Sequence, residues 1–119
     1  MAHHNELGKQ GEEMAVAHLL EKGYEIVARN FRYQRAEVDI IARKEGILAV
    51  VEVKTRSTPD FGDPAQFLKR KQIQLLIRAI DYFVTDHDLD VDVRFDIVAI
   101  VKNGQGTQVE HMEDAFLHF

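Results

Sequence analysis

Cysteine is absent from the 119 residues. That excludes disulfides and zinc–thiolate sites and makes a reducing cytoplasm the expected compartment. Proline is scarce, at Pro59 and Pro64 only, too little to mark a linker, so one domain over 1–119 is expected. No run of about 18 apolar residues occurs, and no membrane-spanning helix is expected. The start, MAHHNELGKQGEE, has no apolar stretch behind a basic one, so no signal peptide is expected. His87, His111 and His118 are scattered without metal-ligand spacing, and His3 and His4 stand at the terminus. Basic residues nearly vanish after position 80: residues 81–119 hold 2 Lys and Arg against 9 Asp and Glu, whereas 1–80 hold 13 against 11. The net charge of −5 excludes a uniformly basic nucleic-acid binder. It leaves room for one positive face drawn from Arg29, Arg32, Arg35, Arg43, Lys44, Lys69, Arg70 and Lys71. The acidic run DYFVTDHDLDVD (81–92) lacks the central Gly and closing Glu of a calcium loop.

What is present is a regular alternation of patterns. Residues 5–22 read as a helix capped by Asn5 and stopped by Gly23, with Ala15, Val16 and Leu19 on one stripe. Strands are expected over 24–32, 37–43 and 47–56, the last two joined by a hairpin turn at Lys44-Glu45-Gly46. In the second strand Val38, Ile40 and Ala42 are expected to face one way and Glu37, Asp39 and Ile41 the other. A loop with Ser57, Pro59, Gly62 and Pro64 precedes a second helix over about 65–85, with core positions at Leu68, Leu75, Leu76, Ala79, Ile80 and Phe83. Strands over 94–102 and 109–112 follow, with Ala115, Phe116 and Leu117 packing at the end. The order α-β-β-β-α-β-β implies an α/β fold: a mixed sheet flanked by helices, its first three strands antiparallel and the 94–102 strand returning in parallel.

The strand LAVVEVKTRS (48–57) carries Glu52 and Lys54 on one face after four apolar residues. A lone Glu-x-Lys is ordinarily a surface ion pair. Here the preceding strand brings Asp39 opposite Val51 or Glu52, depending on a register that the sequence leaves open. Glu12 lies within the apolar stripe of the first helix, which is expected to cover this face. The set is therefore Asp-x(12)-Glu-x-Lys plus a helical Glu. Neighbouring carboxylates repel when ionised, and a divalent cation relieves the repulsion. Mg²⁺, or Mn²⁺ in its place, suits a few carboxylates plus waters and phosphate oxygens. With Lys54 to orient water or to stabilise charge building on a phosphate, the set suits phosphodiester hydrolysis.

GKQGEEMA (8–15), GYEIVARNFR (23–32), AEVDIIAR (36–43), VVEVKTRS (50–57), FGDPAQ (61–66), KRKQ (69–72) and RFDIVAI (94–100) together resemble the small bacterial YraN-like uncharacterised proteins, in the same order and over nearly the whole chain. That family resembles the archaeal Holliday-junction resolvases and belongs with the restriction-endonuclease-like, PD-(D/E)XK, superfamily. The resemblance implies that Asp39 and Glu52 bind metal, that Lys54 assists the water, and that Glu12 is the helical glutamate, four residues after Gly8. Val38 stands where the superfamily often has Pro, and Ala36 where the family usually has Gly; neither change removes a functional group. The implied activity is a Mg²⁺-dependent DNA endonuclease acting on branched DNA in recombination or repair, working as a homodimer.

Arg56, Lys69, Arg70, Lys71, Arg32 and Arg35 are the expected phosphate contacts, since DNA affinity rests chiefly on the backbone. Tyr33 is a stacking candidate with a structural alternative, and Asp96 is expected to pair with an arginine. The competing reading is a non-catalytic nucleic-acid- or protein-binding module on the same fold, its partner recruited by the acidic C-terminal half.

Overall fold

The computed structural model describes residues 6–58 and 68–116. Within them run α1 (Glu6–Glu21), β1 (Glu25–Tyr33), β2 (Ala36–Lys44), β3 (Ile47–Arg56), α2 (Arg70–Asp86), β4 (Asp92–Asn103) and β5 (Gly106–Met112). This is the expected order. The Asn5 cap, positions 65–67 of the expected second helix, Pro59, Pro64, Leu117, His118, His3 and His4 lie outside the described residues.

The five strands form one sheet in the order β1-β2-β3-β4-β5. Pairing is antiparallel except between β3 and β4, which the crossover through α2 makes parallel. The uninterrupted apolar run Leu48–Val51 marks β3 as a strand covered on both sides. Leu48 and Val50 pack in a layer with Ile73, Leu76, Ala79, Ile80 and Phe83 of α2. Ala49 and Val51 pack in the opposite layer with Ala15 and Leu19 of α1. Each fully buried aliphatic side chain contributes roughly 1.5–3 kcal/mol through removal from water.

Three expectations are corrected. First, α1 does not cover the face that carries Glu52. By alternation Glu52 shares the side of Leu48 and Val50, which is the α2 side. Second, α2 begins at Arg70, about five residues later than expected. The reason is local chemistry. The Gln72 side chain accepts the Lys69 N–H at 3.1 Å, and Leu68, just before the cap, is buried in the same cluster as Ile73. Together these make half of a capping box and a hydrophobic staple. Third, Val38 does not share a layer with Ile40 and Ala42. Val38 and Ile41 join the α2 layer, whereas Ile40 and Ala42 join the α1 layer, so the alternation slips at Asp39.

Candidate active site

The register left open by the sequence is set by the β2–β3 turn. Glu45 and Gly46 both take positive φ, 52° and 82°, as a two-residue type I′ hairpin requires. Lys44 then faces Ile47, and Ile40 faces Val51. One step further, Asp39 comes opposite Glu52. The β2–β3 ladder ends at Ile40↔Val51, while β2 stays paired with β1 back to Ala36. The two strands part at this point, and Asp39 Oδ2 accepts the Val53 N–H at 2.8 Å.

Two acids are buried among the described residues, Glu52 at 8 % exposure and Asp96 at 0 %, and their surroundings differ. Asp96 accepts from Arg94 Nε at 2.9 Å and Nη2 at 2.8 Å, from His111 Nε2 at 2.8 Å and from the Asp114 N–H at 3.1 Å. Lys22 Nζ donates to His111 Nδ1 at 2.6 Å, so Nε2 is the ring nitrogen left to donate to Asp96. Burial raises the Asp96 carboxyl, but the hydrogen bonds from His111 and Arg94 outweigh it and hold the group below the usual carboxylate range. Asp96 is thus a satisfied structural anion with the arginine partner expected from the sequence, tying β4 to β5 and, through the bond from Arg94 Nη2 to the Tyr24 hydroxyl at 2.5 Å, to the start of β1.

Glu52 has another acid as its neighbour. Burial, then the charge of Asp39 and a hydrogen bond to it, push Glu52 well above the usual range. Asp39 is also raised, by burial, against the Val53 N–H and the Glu52 hydrogen bond, which lower it. A hydrogen bond joins the two carboxyls, and a protonated Glu52 would be its donor. Lys54 acts by charge to lower both acids, and Glu37 raises both. Perturbed acids paired with each other in a cleft are a mark of functional sites.

Glu52 opens into a cavity of about 90 Å³ lined by Arg35, Ala36 and Glu37 from the start of β2, and by Leu68, Gln72, Leu75 and Leu76 at the start of α2. Lys69, Arg70 and Lys71, all exposed, stand at the same helix end. Arg56 lies two residues beyond Lys54 and is exposed. Arg32 pairs with Glu37 at 3.5 Å. Glu12 lies against Arg29 at 4.0 Å, and Arg29 faces Ile40, next to Asp39. Among the described residues no three of His, Cys, Asp and Glu gather to hold a metal ion, so the expected three-carboxylate shell is not assembled. The donor set that fits Mg²⁺ is Asp39 with Glu52, completed by waters and a phosphate oxygen. The sequence reading placed Glu37 on the Asp39 face of its strand without giving it a role, and it missed Gln72 in the cavity.

Residues 11–100 match Uncharacterised protein family UPF0102. The UPF0102 protein of Christiangramia forsetii is 59 % identical over 119 residues, covering all of both chains. That of Flavobacterium johnsoniae is 56 % identical over 123 residues, again covering both completely. That of Phocaeicola vulgatus is 42 % identical over 116 residues, covering 98 % of this chain and 96 % of its own. The chain belongs to this uncharacterised family, that of the YraN-like proteins.

Proposed function

We propose that the protein is a Mg²⁺-dependent endonuclease that hydrolyses DNA phosphodiesters, with branched DNA of recombination or repair as its substrate. One observation carries the reading: the buried Glu52 stands beside Asp39 where β2 and β3 part, with Lys54 following on the same face and acting on both acids by charge. An acid pair of this kind costs stability unless it serves an ion or a proton. The restriction-endonuclease-like pattern of an acid followed by Glu-x-Lys agrees with it.

Asp39 and Glu52 would hold Mg²⁺ through their carboxylate oxygens, any proton on Glu52 passing to water as the ion binds. The bound ion supplies positive charge that neutralises the phosphate and favours ionisation of a water. The Val53 N–H fixes the Asp39 carboxylate by its hydrogen bond. The Lys54 ammonium orients the attacking water and stabilises the negative charge that grows on the phosphate. Arg35, Lys69 and Lys71 hold the DNA backbone beside the cavity, and Arg56 and Arg32 extend that grip. Glu12, paired with Arg29, holds α1 against the strand next to Asp39 from the other side of the sheet, and would act on the site by positioning that strand.

The test is cleavage of a labelled four-way junction, a linear duplex and a single strand with Mg²⁺, Mn²⁺ or chelator. Metal-dependent cleavage is expected, with Glu52→Ala and Asp39→Ala inactive and Lys54→Ala slower by about 10²–10³. Absence of cleavage on all three substrates would overturn the reading. Salt-sensitive DNA binding without turnover, unchanged in Lys54→Ala, would favour the binding module instead. Light scattering decides the homodimer.

A further inference from the structure

We propose that the Tyr33–Tyr82 ring stack, with Arg78 and Asp81 beside it, is a subsite for one unpaired nucleobase of the DNA; this rests on the endonuclease reading above. The two rings lie 4.4 Å apart with an interplanar angle of 19°. Tyr82 is 44 % exposed, so part of its ring is open to a ligand. Stacking on Tyr33 holds the Tyr82 ring in one orientation, so a base added to the stack costs little further ordering.

The surroundings suit a base better than a phosphate. Arg78, Asp81, Tyr82 and Thr85 follow the spacing i, i+3, i+4, i+7, which puts them on one stripe of α2. With Tyr33 and Gln34 they bound a depression of about 400 Å³. The Asp81 carboxylate repels a phosphate but accepts from the amino and imino groups of a base edge. The Arg78 guanidinium donates to ring nitrogens and carbonyls of the same edge. Stacking, one acceptor and one donor form the set by which single-stranded bases are held.

Position links this subsite to the acid pair. Gln34 and Arg35 form the β1–β2 turn, Gln34 with φ of 55°. Gln34 bounds the depression, and its neighbour Arg35 lines the Glu52 cavity. One hairpin tip thus separates the two, and a strand crossing it sets a phosphate at Arg35 and a nearby base at Tyr82. A base inside a duplex is stacked and paired and cannot reach the ring. The substrate class that follows is DNA with an unpaired nucleotide beside the cut.

The test is fluorescence anisotropy in chelator, so that no cleavage enters. The ligands are a labelled single strand, the same strand with abasic nucleotides, and the matching duplex. Tyr82→Ala is expected to weaken single-strand binding about tenfold or more and to leave duplex binding unchanged, while Tyr82→Phe keeps both. Arg78→Ala, at an exposed position, should weaken the single strand selectively even if Tyr82→Ala folds poorly. The wild type should lose a similar factor on the abasic strand, with no further loss in Tyr82→Ala. Equal loss on duplex and single strand, an abasic strand bound as well as the normal one, or no single-strand binding by the wild type would each overturn the proposal. If Glu52→Ala binds the single strand normally and the wild type cleaves nothing, only the endonuclease reading fails.

Discussion

The two buried acids make opposite contributions to stability. Asp96, held below its ordinary range, stabilises the fold at pH values above the unfolded carboxyl pKa, and that contribution is lost as pH falls through its depressed folded value. Asp96→Asn should therefore cost about 3–5 kcal/mol at neutral pH, since Arg94 loses its buried partner, and the difference from wild type should shrink on acidification. Urea melts at pH 7 and at low pH measure it. Glu52 has the reverse sign. A raised carboxyl stabilises the fold at low pH, and the contribution is lost as pH rises through the folded value. Glu52→Gln, which copies the protonated form, should raise Tm at pH 7.5 in chelator, each kcal/mol regained adding about 4 °C. The gain should vanish near pH 4, and cleavage should be lost at every pH. A Glu52→Gln protein less stable than wild type at pH 7.5 would mean that the acid pair is structural. An arginine partner for Asp96 was expected from the sequence without its position, and it is Arg94, two residues away on the same strand. His111 was not expected, because it reaches Asp96 from a strand whose register depends on the turn at 103–106.

Gly11 sits in the middle of α1, where glycine costs about 1 kcal/mol relative to alanine. A Cβ there would lie 2.0 Å from Thr55 Oγ1 and 3.0 Å from Thr55 Cβ, so the helix crosses β3 with no room for a methyl group. Thr55 follows Lys54, and this contact sets how close α1 comes to the strand that carries the Glu-x-Lys. Gly11→Ala should lower Tm markedly, by roughly 1–3 kcal/mol of overpacking, and Thr55→Ala in the same chain should recover part of it, as thermal melts would show. Element types and order were readable because β2, β3 and β4 alternate or run apolar and both helices carry periodic apolar stripes. The start of α2 was not, because Leu68 continues the apolar spacing of the helix while serving as a staple before its cap. The coverage of the Glu52 face was not either: two helices flank one sheet, and periodicity gives each an apolar side without saying which side of the sheet it meets.

Charge is divided along the chain, and the fold sets Lys69 and Lys71 at the helix end beside the acid pair while the acidic run 81–92 lies at the far end of α2 and beyond it. On the endonuclease reading these lysines would draw the DNA backbone to the acid-pair end of α2, while the Asp81–Tyr82 stripe would meet a base rather than a phosphate. Lys69→Ala with Lys71→Ala should weaken binding of all DNA sequences alike and reduce the slope of log K against log salt by about two; an unchanged slope would remove these lysines from the interface. The convergence of Asp39, Glu52 and Lys54 was visible in the sequence as far as spacing allows, and what it lacked was the turn conformation that fixes the pairing.

That turn has a consequence for the order of assembly. The acid pair belongs to one β-hairpin, so it closes through a contact short in sequence, of the kind that forms early in folding. Its cover, the start of α2, arrives only after a long crossover. Because the hairpin turn alone sets the spacing of the two carboxylates, changes at the start of α2 would alter the cover of the cavity and leave that spacing as it is. On the endonuclease reading, substrate preference would then be tuned at the cover while the acid pair stays put.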